Sequence, residues 1–414
     1  MAKLQPVRGT HDLLSEDVAR HRLVIETFRD LALRFGFGEI ATPIFEFSEV
    51  FKRTLGETSD VVTKEMYSFT DRGGEEITLR PEYTAGIARA FISGGLSQNL
   101  PLKFFASGPM FRYERPQKGR QRQFHQLDAE ILGVAEPLAD IEVIALGDQL
   151  LKELGVAGDT TLELNSLGDK ESRTAYRAAL VEYFSGHKDK LSEDSLLRLD
   201  RNPLRILDSK DEGDRRIVTC APEMGDYLNA ESADFFAAVQ DGLDRLEIAY
   251  TLNSRLVRGL DYYTHTAFEF TTQALGAQGA VIAGGRYDGL IETMGGPPTP
   301  GIGWASGIER LAMLIAEPPA EVRLIAMIPT DAEAMNEALV LTHTLRQAGF
   351  AVDLGYRGNV GKRMKRANKL GARAAVILGE DERRAGVVTL RNLDTGEQES
   401  VPLPELNDRL AKQR

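Results

Sequence analysis

Between residues 102 and 132 the chain sets arginines and carboxylates at spacings that could hold a reacting phosphate beside a cation. KFFASGPMFR and QFHQLDAEIL read as two strands joined by a polar, basic stretch, Tyr113 to Arg122, and so as one long antiparallel hairpin. In the second strand Gln126, Asp128 and Glu130 lie two apart and share a face, with Leu127, Ala129 and Ile131 on the other. An arbitrary strand of this kind turns its polar side to water. What points elsewhere is Arg112 at the end of the partner strand, with Arg115, Lys118, Arg120 and Arg122 in the loop. A guanidinium fork matches phosphate oxygens, and a carboxylate accepts from an ammonium or an imidazole N–H. An amino acid condensing with ATP has those needs.

Such residues need a sheet and its supports. Val24, Phe28, Leu31 and Phe35 recur at helical spacing from Val18 to Phe35, and GFGEIATPIFE turns to strand character around Pro43. TAFEFTT and AVIAGG read as strands, and GIGWA as a strand leading into the helix SGIERLAMLIAE. Between about 167 and 250 the texture changes. GDKESRTAYRAALVEYF and SADFFAAVQDGLDRL are helical around a charged stretch, Lys188 to Arg216, which predicts an inserted helical subdomain. PPAEV marks a linker, after which RLIAMIP, Asp331 to Ala348, AVDLG, Asn359 to Leu370 and AAVILG alternate strand and helix. The expectation is an α+β domain on an antiparallel sheet over 1–320, with the insertion at about 167–250. A small α/β domain with a largely parallel sheet should follow over 321–414.

The 414 residues suit roughly two to three domains. No apolar run approaches the roughly 18 residues that span a bilayer, and MAKLQPVRGTHDLL lacks the pattern of a secretion signal, so a cytoplasmic protein is expected. Cys220 is the single cysteine, which excludes an internal disulfide and thiolate-pair zinc sites. The six histidines form no HxxxH pair and sit beside no carboxylate cluster in sequence, so no metal site is expected. The net charge of −12 is uneven: residues 321–414 hold 15 Lys+Arg against 13 Asp+Glu, leaving −14 to the rest. A polyanion would meet the C-terminal part more easily.

FRYERPQKGRQRQFHQLDAE and GIGWASGIERL resemble the second and third motifs of class II aminoacyl-tRNA synthetases, and the segment ending at Pro43 resembles the first, a dimer-interface element. LVRGLDYY and AGGRYDGL resemble the two peptides peculiar to the histidyl-tRNA synthetase family, and TLRPEYTAG its amino-acid loop. With VRGTHDLL, the resemblance runs over most of residues 4 to 315. It implies a homodimer that activates histidine with ATP, accompanied by Mg2+ and no permanent cofactor, and transfers it to tRNA(His). Carried over by position, Glu82, Tyr83, Thr84 and Gln126 belong to the histidine site, and Glu82, Thr84 and Gln126 would hold its ammonium end. Glu130 and Tyr263 would read the imidazole, with Tyr262 and Tyr287 as walls. Arg112 and Arg310 would grip the ATP phosphates, with Glu114 and Arg120 also in the ATP site, and Arg258 would bridge the carboxylate and the α-phosphate. Gly301, Gly303 and Gly307 would admit the adenine and ribose, while Arg115, Lys118 and Gln121 would meet the tRNA acceptor end. Trp304 and Gln121 depart from the family pattern, which has a smaller residue at the first position and often an aromatic at the second.

The C-terminal part resembles the anticodon-binding domain of several such enzymes. In NVGKRMKRANKLG, Val360, Met364 and Ala367 form an inner stripe, and Lys362, Lys365, Arg366 and Lys369 spread over the outer face, with Arg363 a fifth basic residue. A basic helix free of acidic residues favours phosphate contact. The rival readings are a noncatalytic relative, such as the regulatory subunit of ATP phosphoribosyltransferase, expected to resemble the chain only up to the linker, and a tRNA-sensing module.

Overall fold

The alternation in LKFFASGPMF and QFHQLDAEIL lets two strands pair along their whole length. Leu102–Phe111 runs antiparallel to Gln123–Leu132 from Leu102↔Leu132 to Phe111↔Gln123. The structure, a computed structural model, describes residues 3–55, 61–257, 262–276, 279–317 and 322–412. The chain divides into two units, Met1–Pro319 and Ala320–Arg414.

In the first unit the hairpin lies inside a sheet of eight strands among the described residues. Their order is 38–39, 102–111, 123–132, 301–307, 280–286, 264–271, 161–166 and 251–252. Pairing is antiparallel except for the two-residue strands at either edge, which pair in parallel. A separate three-stranded antiparallel sheet holds Phe45–Phe47, Glu76–Leu79 and Tyr67–Thr70. One face of the large sheet is the core: Leu127, Ala129 and Ile131 pack with Val24, Phe28 and Leu31 of helix Glu16–Arg34 and with Val143 and Leu150 of helix Pro137–Glu153. Each Val, Leu, Ile or Phe among them contributes about 1.5–3 kcal/mol by leaving water. The opposite face holds the polar positions of the second strand beside a second apolar cluster, with Ala106 and Met110 packed against Ile87.

Arg286, in the strand AVIAGGR, pins the sheet to helix Pro137–Glu153. It and Asp140 are fully buried as an ion pair, and its Nη1 also donates to the Val134 carbonyl at 2.9 Å. The helical stretch between 167 and 250 divides by its packing. Tyr176, Leu180, Phe184, Leu199, Ile206 and Met224 form a small core of their own. Val239 and Leu243 of helix Ala230–Arg245 belong instead to the core of the main sheet. Asp169, Ser192, Asp211 and Asn229 each cap the helix that follows with a side-chain oxygen, which explains why the helices begin where they do.

In the second unit the strand order is 352–354, 325–329, 374–378, 387–392, 398–402. The first three are parallel, as the alternation with helices Ala332–Gln347 and Val360–Lys369 requires, and the last two extend the sheet antiparallel. The largely parallel sheet expected is therefore mixed: VVTLRN and QESVP follow the parallel strands and pair antiparallel because a short turn brings them together.

Candidate active site

The period of two that sends Leu127, Ala129 and Ile131 into the core sends Gln126, Asp128 and Glu130 to the other face. That face is shut off from water: Asp128 and Glu130 are each 1% exposed. A cavity of about 210 Å³ opens over Gln126 and Glu130, with Glu82 and Thr84 on its wall. Thr84 Oγ1 donates to Glu130 Oε1 at 2.5 Å, and the Tyr287 hydroxyl donates to Oε2. Glu82 accepts the Ala85 N–H at 2.8 Å, in the first turn of helix Thr84–Ser93. The Gln126 side-chain oxygen is buried with no hydrogen-bond partner among the described residues.

Burial dominates the protonation of this floor. It pushes the Glu130 carboxyl up to about 8, against the pull of the hydrogen bonds from Thr84 and Tyr287. It raises Glu82 as well, the Ala85 N–H opposing. Asp128 stands well above the carboxylate range through burial and the neighbouring charges of Glu130 and Glu82. Three desolvated carboxyl groups so close together gain by receiving a cation.

Aromatic rings close the sides. Tyr262 lies 4.5 Å from Tyr263 and 5.8 Å from Tyr287, centroid to centroid. Burial lifts the Tyr262 and Tyr287 hydroxyls well above their ordinary range, so both remain neutral donors. The glycines of GIGWASG have an internal reason to be glycine. A Cβ at Gly303 would fall 1.6 Å from Glu130 Oε2, and one at Gly301 would fall 2.2 Å from the Tyr287 ring. At Gly307 a Cβ would meet only the Arg310 side chain, at an ordinary 3.6 Å.

Guanidinium groups line the same cavity. Arg112 donates to the Pro81 carbonyl at 3.0 Å and stacks over Phe124 at 5.3 Å. Arg310 donates to the carbonyls of Gly119 at 3.1 Å and Ala280 at 2.6 Å, which ties the hairpin loop to strand Ala280–Arg286. Burial, with Arg120 and Arg112 close by, lowers its pKa. Arg120 pairs with Glu114 at 2.5 Å. The cavity lining therefore offers partners to a cation and to an anion, with Arg112 near enough to Glu82 to pull against the rise in its pKa.

The expected residues divide into those the fold brings to the cavity and those it does not. Glu82, Thr84, Arg112, Glu114, Arg120, Gln121, Gln126, Glu130, Tyr262, Tyr263, Tyr287, Gly303, Gly307 and Arg310 line it. Tyr83 does not: it is buried in the cluster behind helix Thr84–Ser93, its hydroxyl accepting from Arg80 Nη2 at 2.9 Å. Arg258 lies outside the described residues. Arg115 and Lys118 are exposed on the loop. The Trp304 side chain points away into the core, donating to the Val143 carbonyl at 2.8 Å and lying 5.2 Å from Phe28, so the departure at this position is a matter of core packing. Spacing could not reveal Phe124 beneath Arg112, nor Glu309, which accepts from the His125 main chain at 3.0 Å and meets its Nδ1 at 2.8 Å.

In the second unit Lys362, Lys365 and Lys369 stand exposed on helix Val360–Lys369, started by Asn359, which caps the Lys362 N–H at 3.0 Å. Arg366 is exposed but engaged by both oxygens of Asp353 at 3.0 Å. Arg363 is not on the outer face: it is buried and donates to the Pro329 carbonyl. Its stem fills the space beside Gly355 that an aliphatic residue would otherwise take.

An antiparallel sheet whose central hairpin carries both a carboxylate floor and a basic loop, beside a glycine strand running into a helix, defines a class II aminoacyl-tRNA synthetase. The histidyl-tRNA synthetase family model matches residues 9–311 and the anticodon binding domain model residues 321–413, and the chain belongs to the histidyl-tRNA synthetase family. The histidine–tRNA ligase of Rhodospirillum rubrum is 64% identical over 413 residues, covering 100% of both chains. Apo histidyl-tRNA synthetase from S. aureus superposes with a TM-score of 0.83 at 34% identity, over 98% of this chain and 99% of that one. A Bacillus halodurans protein described as an ATP phosphoribosyltransferase regulatory subunit/histidyl-tRNA synthetase shares the fold at 21% identity and a TM-score of 0.66, over 92% of this chain and 99% of its own.

Proposed function

We propose that this chain is a histidine–tRNA ligase that forms histidyl-adenylate from histidine and ATP and then transfers histidine to the 3′ end of tRNA(His). The observation that carries this reading is the mixed lining of one cavity, which brings desolvated carboxyl groups together with arginines. Full-length identity of 64% to a relative named histidine–tRNA ligase supports it over the regulatory reading.

Glu82, Thr84 and Gln126 receive the α-ammonium of histidine, and Glu130 accepts the imidazole N–H. The hydrogen bonds from Thr84 and Tyr287 fix the Glu130 carboxylate in place, so a side chain without a ring donor leaves its ionised form buried with one hydrogen bond fewer. That penalty discriminates more strongly than an apolar pocket can. Tyr263 completes the polar contact to the ring, and Tyr262 and Tyr287 wall it. Arg112, Arg120 and Arg310 neutralise the phosphates, Arg258 bridges the attacking carboxylate and the α-phosphate, and Gly303 and Gly307 border the nucleotide. Positioning and charge neutralisation are most of what phosphoryl chemistry asks of a protein. Glu114 is the carboxylate beside Arg120 that would hold a magnesium ion arriving with ATP.

The loop residues Arg115, Lys118 and Gln121 meet the acceptor end, and residues 321–414 hold the anticodon arm through Lys362, Lys365, Arg366 and Lys369. The active species is a homodimer. Ile44, Phe45, Phe47 and Phe69 are 44–58% exposed around the three-stranded sheet, an apolar patch of the kind that marks an interface. No described helix is long and apolar enough to cross a membrane, in keeping with work in the cytoplasm, where tRNA is charged. The test is histidine-dependent exchange of pyrophosphate into ATP, followed by charging of tRNA(His). Exchange and charging are expected with histidine and with no other amino acid; absence of both would refute the assignment, and exchange without charging would refute its second half.

A further inference from the structure

Three residues far apart in sequence meet beside the hairpin loop: His21 in the first helix, His125 just before the polar strand positions, and Glu309 in the helix after GIGWA. One ligand atom from each lies within 4.8 Å of the others, the one such group among the described residues. His21 is buried and its ring meets that of His125 edge to face at 5.6 Å. The carboxylate is already oriented, because the His125 main-chain N–H reaches Oε1 and Oε2 at 3.0 Å each. Oε2 can keep that bond while Oε1, 2.8 Å from His125 Nδ1, turns to a cation. A second cavity of about 700 Å³, also lined by His11, Asp12 and Asp17, opens onto the three residues and gives water access to them.

We propose that His21, His125 and Glu309 form a binding site for a divalent transition-metal ion, with Zn2+ as the probe. Two imidazoles and one carboxylate with a solvent position suit zinc; magnesium and calcium take oxygen ligands. Zinc bonds of about 2.0–2.1 Å set tetrahedral ligand atoms about 3.3 Å apart, so the widest pair closes by no more than about 1.5 Å, within reach of side-chain rotation. Burial holds the His21 pKa below its ordinary value although Glu309 opposes it, which keeps the ring in the neutral, ligating form. His125 adjoins Gln126 and Glu309 adjoins Arg310, so an ion here ties the first helix to two elements that line the main cavity.

The test is a calorimetric titration of the full chain with Zn2+ in nucleotide-free buffer, with anomalous diffraction at the zinc edge. Expected are one zinc per chain, an anomalous peak among the three side chains, and a thermal midpoint that rises with zinc. His21→Phe, which keeps a ring in the space, should abolish stoichiometric binding and the midpoint rise, while His11→Ala should retain both. No stoichiometric binding, a peak elsewhere, or undiminished binding in His21→Phe would each overturn the proposal. Should His21→Phe fail to fold, the anomalous map of the unaltered protein decides alone.

Discussion

The floor of the main cavity and the outer face of helix Val360–Lys369 both concentrate charge, in opposite physical settings. On the floor, Glu130 and its neighbours are desolvated and held by Thr84, Tyr287 and Ala85, so their geometry is fixed before any ligand arrives. On the helix, Lys362, Lys365 and Lys369 stand in water and are ordered only by the helix that carries them. Buried, preorganised charge selects one ligand by what is left unpaired when a wrong one enters. Exposed cationic charge attracts a polyanion with little geometric demand and weakens with salt. The contrast predicts large, salt-insensitive effects from the first region and smaller, salt-sensitive ones from the second.

The largest effect is expected among the arginines. Arg310→Met should slow adenylate formation by on the order of 10²–10³, the loss typical of one preorganised donor to developing charge. Single-turnover formation of histidyl-adenylate measures it, and a rate near that of the unaltered protein would remove Arg310 from the phosphate site. Next comes Gly303→Ala, whose Cβ must displace the Glu130 carboxylate. An overpacking cost of about 1–3 kcal/mol corresponds to a rise of roughly 5- to 150-fold in the Michaelis constant for histidine, with that for ATP changed less. An equal rise for both substrates would mean that the strand itself has moved.

The pH dependence follows from the raised Glu130 carboxyl. A carboxyl raised on folding stabilises the fold fully below its ordinary value of 4.5, and that contribution is lost as pH rises through about 8. The ligand-free protein should therefore lose stability across that window, and Glu130→Gln should lose less. A cationic ligand favours the ionised form, so histidine affinity should rise across the same interval in the unaltered protein and flatten in Glu130→Gln. Denaturant melts and histidine titrations at stepped pH check both, and parallel curves for the two proteins would show that Glu130 is not the titrating group.

The smallest effect belongs to the helix. Changing Lys362, Lys365 and Lys369 together to glutamate should spare pyrophosphate exchange but raise the Michaelis constant for tRNA, and flatten its salt dependence by about 0.7–0.9 in slope per lost contact. Charging unchanged at every salt concentration would reduce the helix to a solvated face. Exchange falling in step with charging would instead mean damage to the fold.

Local pattern made much of this protein legible. Alternation in QFHQLDAE placed Gln126, Asp128 and Glu130 on one face, and helical spacing found the first helix to within two residues at its start and one at its end. Periodicity needs no knowledge of partners. It could not tell that the polar face of that strand would be closed off from water, which depends on Tyr287 and Thr84 arriving from elements 157 and 46 residues away in sequence. Nor could it separate Arg363, drawn under the sheet to the Pro329 carbonyl, from the lysines on the same helix, because a guanidinium with a buried stem looks like surface charge in a sequence. The strand VVTLRN went unseen because its stabilisation comes from its pairing partners. His21, His125 and Glu309 make the division plain: no spacing rule links residues so far apart, and only the packing of the first helix against the sheet and its following helix brings them together. The sequence by itself determined which residues share a face within each helix or strand, since that follows from backbone geometry. The tertiary structure decided which faces are dry, and with that, which charges are poised to act.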